Sequence, residues 1–270
     1  MIRESRITLG ERSMRYLEAG TGWPVVLLHA FPFNANMWRP ELERVPEGWR
    51  FIAPDLRGFG PDAPTAAEHA VRTLDEMAAD VRSLLDRLEI ERSVIGGLSM
   101  GGYVTFALFR AAPDRFTGMI LADTKPQADT PDGRAGRRAM IEAARARGAA
   151  AVADMMLPKL LGRTTQARRP MLVPQVRQMI EQEQVAGIVS ALEAMIARPD
   201  STPDLLRIAC PALVIVGDED ELTPPAQAEM MQNHIPRSRL VVLPEAGHLS
   251  SLEAPDGFTL ALADFLASNL

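Results

Sequence analysis

A chain of 270 residues with 47% hydrophobic and 24% charged content is long and apolar enough for one large domain, or for a core with an inserted subdomain. Its 29 lysines and arginines against 35 acidic residues leave a net charge of −6, which argues against nucleic acid as a partner. The single cysteine, Cys210, cannot form an intramolecular disulfide or a thiolate zinc site, residues 1–12 lack the apolar centre of a signal peptide, and no apolar run nears the ~20 residues of a membrane span. A soluble cytoplasmic protein without a membrane partner is expected.

Residues 6–9 and 14–18 alternate around Gly10 and predict an antiparallel hairpin at a sheet edge. Residues 24–29 differ, because four consecutive apolar residues without alternation suit a strand buried on both faces, as in a parallel sheet. The same pattern recurs at 51–53, 94–95, 119–122, 212–216 and 240–243, with helices expected at 39–44, 74–88, 103–112, 225–234 and 255–270. A hairpin followed by alternating strands and helices predicts an α/β fold: a mostly parallel twisted sheet with helices on both faces.

From 125 to 203 the alternation stops. Only helical stretches appear, punctuated by Gly148, Pro158, Gly162, Pro170, Pro174 and Pro199. That is too long for a loop and too helical for a linker, so it reads as a helical cap inserted between core parts 1–124 and 204–270. Over residues 125–200, twelve basic against eight acidic residues give +4, either a solvated arginine-rich face or a mild attraction for anionic substrates. Met155 and Met156, with Trp38 from the core, are candidates for lining an acyl pocket, although methionine at helical spacing also serves as plain core.

The stretch 93–113, SVIGGLSMGGYVTFALFRAAP, carries the chemistry. It runs from a β-branched strand through glycines to Ser99, then into a helix, which is the context a G-x-S-x-G match requires. The bare match arises by chance in roughly one chain in ten of this size, so the context decides. A phosphate-binding turn is the competing reading, but no G-x-G-x-x-G is present and no Lys follows the glycines.

A serine hydroxyl needs an imidazole base, and the imidazole needs a carboxylate to fix its tautomer. Of four histidines, His69 lies in a polar stretch, His234 ends a helix where the helix dipole accounts for it, and His29 closes a strand where its ring can brace the next loop. His248 follows the last strand, at the carboxyl ends of the strands, where catalytic groups of open α/β sheets gather. Gly217-Asp-Glu-Asp-Glu221 offers the acid: Asp220 is favoured over Asp218, with Asp123 a third candidate better suited to a structural hydrogen bond. Glu219 and Glu221 are expected to face solvent, and Thr223 with Pro224 to cap and begin the next helix.

The order Ser99, Asp220, His248 matches the order in α/β-hydrolases. The chain resembles that superfamily along essentially its whole length, through His29-Ala-Phe-Pro32, Pro54-Asp-Leu-Arg-Gly-Phe-Gly60, Gly97-Leu-Ser-Met-Gly-Gly102, Gly217-Asp-Glu-Asp220 and Ala246-Gly-His248. Within it the chain most resembles small carboxylesterases and 3-oxoadipate enol-lactonases. The resemblance implies an oxyanion hole made by the backbone N–H groups of Phe31 and Met100, since Pro32 has none to give. Two positions depart from the family pattern: Ala30 stands where glycine is usual, and Pro61 where a small residue is usual.

A small-molecule ester or lactone substrate is therefore expected, with no metal and no cofactor. Competing activities are C–C hydrolysis of the meta-cleavage product type, cofactor-free perhydrolysis, and a ligand-sensing protein that retains the triad. Haloalkane dehalogenases and epoxide hydrolases would need a carboxylate where Ser99 stands. Prolyl aminopeptidases usually carry Trp where this chain has Met100.

Overall fold

The short apolar runs assemble into the middle of one sheet. The computed structural model describes residues 1–10, 12–61, 63 and 72–269. Its strands are β1 (Arg3–Leu9), β2 (Arg12–Gly20), β3 (Trp23–Leu28), β4 (Trp49–Pro54), β5 (Ser93–Leu98), β6 (Phe116–Ala122), β7 (Ala212–Gly217) and β8 (Ser238–Leu243). They lie in the order β1-β2-β4-β3-β5-β6-β7-β8. β1–β2 and β2–β4 pair antiparallel, and every other neighbouring pair is parallel.

Burial explains the two kinds of sequence pattern. Val25–Leu28 and all of β5 are buried on both faces, whereas from Ser5 to Leu9 alternate positions of the edge strand β1 turn towards solvent. The helices, in chain order, are α1 (Arg39–Leu42), α2 (Leu74–Arg87), α3 (Met100–Ala111), α4 (Pro131–Arg147), α5 (Ala149–Leu160), α6 (Arg163–Arg168), α7 (Leu172–Glu181), α8 (Val185–Ala197), α9 (Pro225–His234), α10 (Ser250–Glu253) and α11 (Pro255–Asn269). Helix α2 shows the local logic. Thr73 Oγ1 accepts the Glu76 N–H at 3.3 Å, Asp75 and Glu76 sit at the positive end, and Leu74, Met77, Val81, Leu84 and Leu85 form the buried stripe.

Helices α4 to α8 occupy the chain between β6 and β7, which are neighbours in the sheet. The buried apolar side chains of this excursion, including Ile141, Val152, Leu160, Val176, Ile180, Ile188 and Leu192, join the same hydrophobic cluster as the core. It docks on the core at two flanks. On one, α8 meets the loop after β4 backbone to backbone: a Cβ on Gly187 would lie 1.8 Å from the Gly58 carbonyl oxygen. On the other, Thr164 binds Glu219, and Arg168 Nη1 reaches both oxygens of Glu245 at 2.7 Å. At its C-terminal end the Arg198 guanidinium stacks 4.1 Å from the centre of the Tyr103 ring on α3.

Candidate active site

β5 and α3 meet at Ser99, which has φ 55° and ψ −111°. That conformation is strained for a residue with a side chain, so surrounding bonds must hold it. The Ser99 N–H donates to Ala122 O at 2.9 Å, and its carbonyl accepts from Gly102 N, Tyr103 N and Thr124 Oγ1. The turn is so tight that a Cβ on Gly101 would lie 2.1 Å from Leu28 O, which explains the glycine two residues after the serine. Helix α3 begins at Met100, three residues before the expected start at 103.

His248 lies between β8 and α10 and is buried. Its Nε2 is 2.8 Å from Ser99 Oγ, and its Nδ1 is 2.9 Å from Asp220 Oδ2. Asp220, in the turn after β7, is buried and fully occupied. Oδ1 accepts from Leu222 N at 2.8 Å and Thr223 N at 3.0 Å, while Oδ2 also accepts from Thr223 Oγ1 at 2.6 Å. Burial alone would raise its pKa; His248 and the Thr223 donors outweigh it and hold the carboxyl below the usual range. With Nδ1–H donating to Asp220, Nε2 is the free acceptor for the serine hydroxyl.

The other carboxylates separate by environment. Asp218 and Glu221 are exposed. Glu219 does not face open solvent as expected: it accepts from Thr164 N and Oγ1 at 2.8 and 2.6 Å and pairs with Arg163 at 3.2 Å. Burial opposes its ionisation, but these donors prevail and its pKa is lowered. Thr223 is not the helix cap: α9 starts at Pro225 with Pro224 in the cap position, and the Thr223 hydroxyl donates to Asp220. Asp123, fully buried at φ 41°, accepts from Gly217 N at 2.9 Å and from the Ser250 hydroxyl, tying the ends of β6 and β7 to α10. Burial, then the negative charge of Asp220, push its pKa well up. Thr223 and Ser250 carry no sequence signal for these roles, which depend on where Asp220 and Asp123 come to rest.

The loop after β3 lies beside this cluster in the sheet, since β3 pairs with β5. His29 is fully buried there; its Nδ1–H donates to Ala30 O and its Nε2 accepts from Leu56 N, both at 2.9 Å, bracing the loops after β3 and β4. Burial pushes its pKa down to about 4, so it is neutral. Phe31 is buried edge-on against Phe59, and among the described residues its N–H has no hydrogen-bond acceptor. Met100 opens α3, where an N–H has no partner within the helix.

Of the expected pocket residues, Trp38 is wholly buried with its ring 5.8 Å from that of Phe258 on α11. Met155 is 38% exposed on α5, and Met156 is partly buried against the core cluster. His234 ends α9, its Nδ1–H donating to Met230 O at 2.8 Å, and Cys210 is half-buried with its thiol pushed up to about 11 by burial. His69 lies outside the described residues. Among the described residues no group of three or more His, Cys, Asp or Glu is arranged to hold a metal ion, and no helix is long and apolar enough to cross a membrane.

Residues 24–255 match the sequence profile described as alpha/beta hydrolase fold. The chain belongs to the α/β-hydrolase family of enzymes. It is 29% identical over 229 residues to 3-oxoadipate enol-lactonase 2 of Acinetobacter baylyi, an alignment covering 85% of this chain and 83% of that one. Among solved structures it superposes on a thermophilic esterase from Thermogutta terrifontis with a TM-score of 0.91 and 38% identity, over 98% of each chain. The enol-lactonase of Burkholderia xenovorans superposes with a TM-score of 0.87 at 29% identity, over 98% of this chain and 100% of that one.

Proposed function

We propose that the protein is a serine hydrolase of carboxylic esters, acting through Ser99, His248 and Asp220 and an acyl-enzyme. The observation that carries this reading is the hydrogen-bonded line from Ser99 Oγ through His248 to buried Asp220. Ser99 Oγ attacks the ester carbonyl as His248 Nε2 takes its proton, while the N–H groups of Phe31 and Met100 hold the oxyanion. His248 then protonates the leaving alkoxide, or the enolate of an enol lactone. Water, deprotonated by the same imidazole, attacks the acyl-enzyme and releases the acid. Asp220 keeps Nδ1 as the donor and offsets the imidazolium charge.

Helices α4 to α8 serve as the cap over this site, which accords with their docking on the Glu219 and Glu245 loops at one flank and the Gly58 loop at the other. An anionic enol lactone is a specific second reading. It is favoured by the likeness to enol-lactonases and by the +4 charge of residues 125–200.

Ser99→Ala should fold normally and retain only trace hydrolysis of p-nitrophenyl esters; near-wild-type turnover would overturn the assignment. A rate panel of short and long p-nitrophenyl esters, neutral lactones and an anionic enol lactone then sorts the substrate class. Preference for the anionic lactone supports the second reading, broad short-chain activity supports a general esterase, and no turnover of any ester points to a sensor.

A further inference from the structure

Several buried carboxylates of the described residues meet a cation, among them Asp55 with Arg15, Asp80 with Arg12 and Arg57, and Asp129 with Arg137 and Arg198, whereas Asp123 and Glu253 meet neutral donors. Glu183 belongs to the second group, and its donors join the helical segment to the core. It sits in the turn between α7 and α8, only 4% exposed, and meets two neutral donors from the core. Oε1 accepts from Asn34 Nδ2 at 2.6 Å, and Oε2 accepts from the Gly60 N–H at 2.9 Å.

Neither partner can reverse its role. A backbone N–H only donates, and the Asn34 amide is oriented by its Oδ1 accepting from Asn36 N at 2.9 Å. Both Glu183 oxygens must therefore accept, which suits a carboxylate and suits neither a carboxylic acid nor a carboxamide. Asn34 stands three residues after Phe31 on the same loop. The core grips that loop too, through Ala35 N to Asp55 Oδ1 at 2.8 Å and Arg15 Nη2 to Asn36 Oδ1 at 3.2 Å. Glu183 adds a hold from the helical side.

From this geometry we infer that Glu183 is a positioning residue for the anion hole: its carboxylate clasps the helical segment to the loop that presents the Phe31 N–H, and so sets that donor against Ser99. The inference rests on the serine-hydrolase reading above. It adds a pH dependence as well. Among the described residues, the charged groups facing Glu183 are Asp55, just past β4, which raises its pKa, and Arg15 on β2, which lowers it; burial is the largest influence, and the carboxyl is pushed up to about 7. As pH falls through about 7 the clasp loses its matched acceptor form, so turnover should fall with it.

The test is steady-state hydrolysis of p-nitrophenyl acetate by full-length variants, with folding followed by circular dichroism and thermal unfolding. Glu183→Gln places an amide N–H against a donor. It should lower kcat by roughly 10- to 100-fold at pH 8 with KM within about threefold, as small misplacements of catalytic groups do. Combining Asn34→Asp with Glu183→Gln exchanges the two groups and restores every bond. The carboxylate now on the loop would accept from Asn36 N and from the amide now on the helical side, whose carbonyl accepts from Gly60 N. That pair should recover kcat to within about threefold. If Glu183→Gln does not fold, Asn34→Ala cuts the same contact from the core side and must show the same loss of kcat. A folded single variant with wild-type kcat and pH profile overturns the inference, as does a folded exchange pair no better than Glu183→Gln. A wild-type protein that hydrolyses no ester overturns the hydrolase reading and this one with it; an active wild type with unaffected variants overturns this one alone.

Discussion

Replacing Asp220 by asparagine should do more than remove a charge. Oδ1 of Asp220 accepts from two backbone amides, Leu222 N and Thr223 N, which can only donate. The asparagine carbonyl must stay there, leaving its NH2 group facing His248 Nδ1 and Thr223 Oγ1. The threonine hydroxyl can rotate to accept. The imidazole can accept at Nδ1 only by moving its proton to Nε2, where it points at Ser99 Oγ. The base then presents a proton where it should take one. A wrong tautomer in a Ser-His-Asp site lowers kcat by about 10⁴; at 1.36 kcal/mol per tenfold this is about 5.5 kcal/mol of lost transition-state stabilisation. The assay is initial-rate hydrolysis of p-nitrophenyl butyrate at pH 7.5, with the rate of Ser99 labelling by a fluorophosphonate as a second readout. Exposed Asp218→Asn is the control and should stay within about twofold of wild type. Asp220→Asn that keeps its fold and retains a tenth or more of wild-type kcat would refute the argument.

Two expectations concern stability. Glu41 is fully buried in α1, neither carboxyl oxygen has a partner in another described residue, and burial raises its pKa well above 4.5. Protonation thus favours the folded state, so this stabilisation is complete below about pH 4.5 and is lost as pH rises towards the folded-state value. Glu41→Met should therefore raise Tm, by on the order of 1–3 kcal/mol of stability, and by more at pH 8 than at pH 4; equal shifts at both would refute the account. Gly187→Ala tests the backbone docking of α8: helix propensity alone favours alanine by about 1 kcal/mol, whereas the clash with Gly58 O should cost about 1–3 kcal/mol, as overpacking does. Thermal unfolding decides between them, and a Tm at or above wild type would show that the contact yields.

How much of this can be read from the chain depends on the range of the interaction. Val25–Leu28 announce a two-sided strand because burial on both faces removes every polar residue, and that signal is local. Gly97, Ser99 and Gly101 are legible for the same reason, since the turn needs bare backbone within a few residues. The choice of Asp220 over Asp218 turns on which residue of one loop can face across the sheet, and the geometry joins Asp220 to His248. Side-chain partnerships set by tertiary packing are not legible. Glu219 reads as a solvent-facing acid until Thr164 arrives from α6, and Thr223 reads as a cap until its hydroxyl is taken by Asp220. Trp38 reads as free to line a pocket because nothing local announces Phe258. The contact between Asn34 and Glu183 spans 149 positions and joins two residue types that are ordinarily exposed.

The backbone of Ser99 has a consequence for the protein's history. Conformations of this kind cost of order 1–3 kcal/mol, and glycine would relieve much of that at the expense of the hydroxyl. Ser99→Gly is therefore expected to give a hardier protein that lacks the proposed nucleophile. A lineage that ceased to need the reaction would meet no structural resistance to losing the serine and some encouragement to do so. Under the proposed role of Ser99, the folding energetics act as a standing bias against the hydroxyl that the chemistry needs.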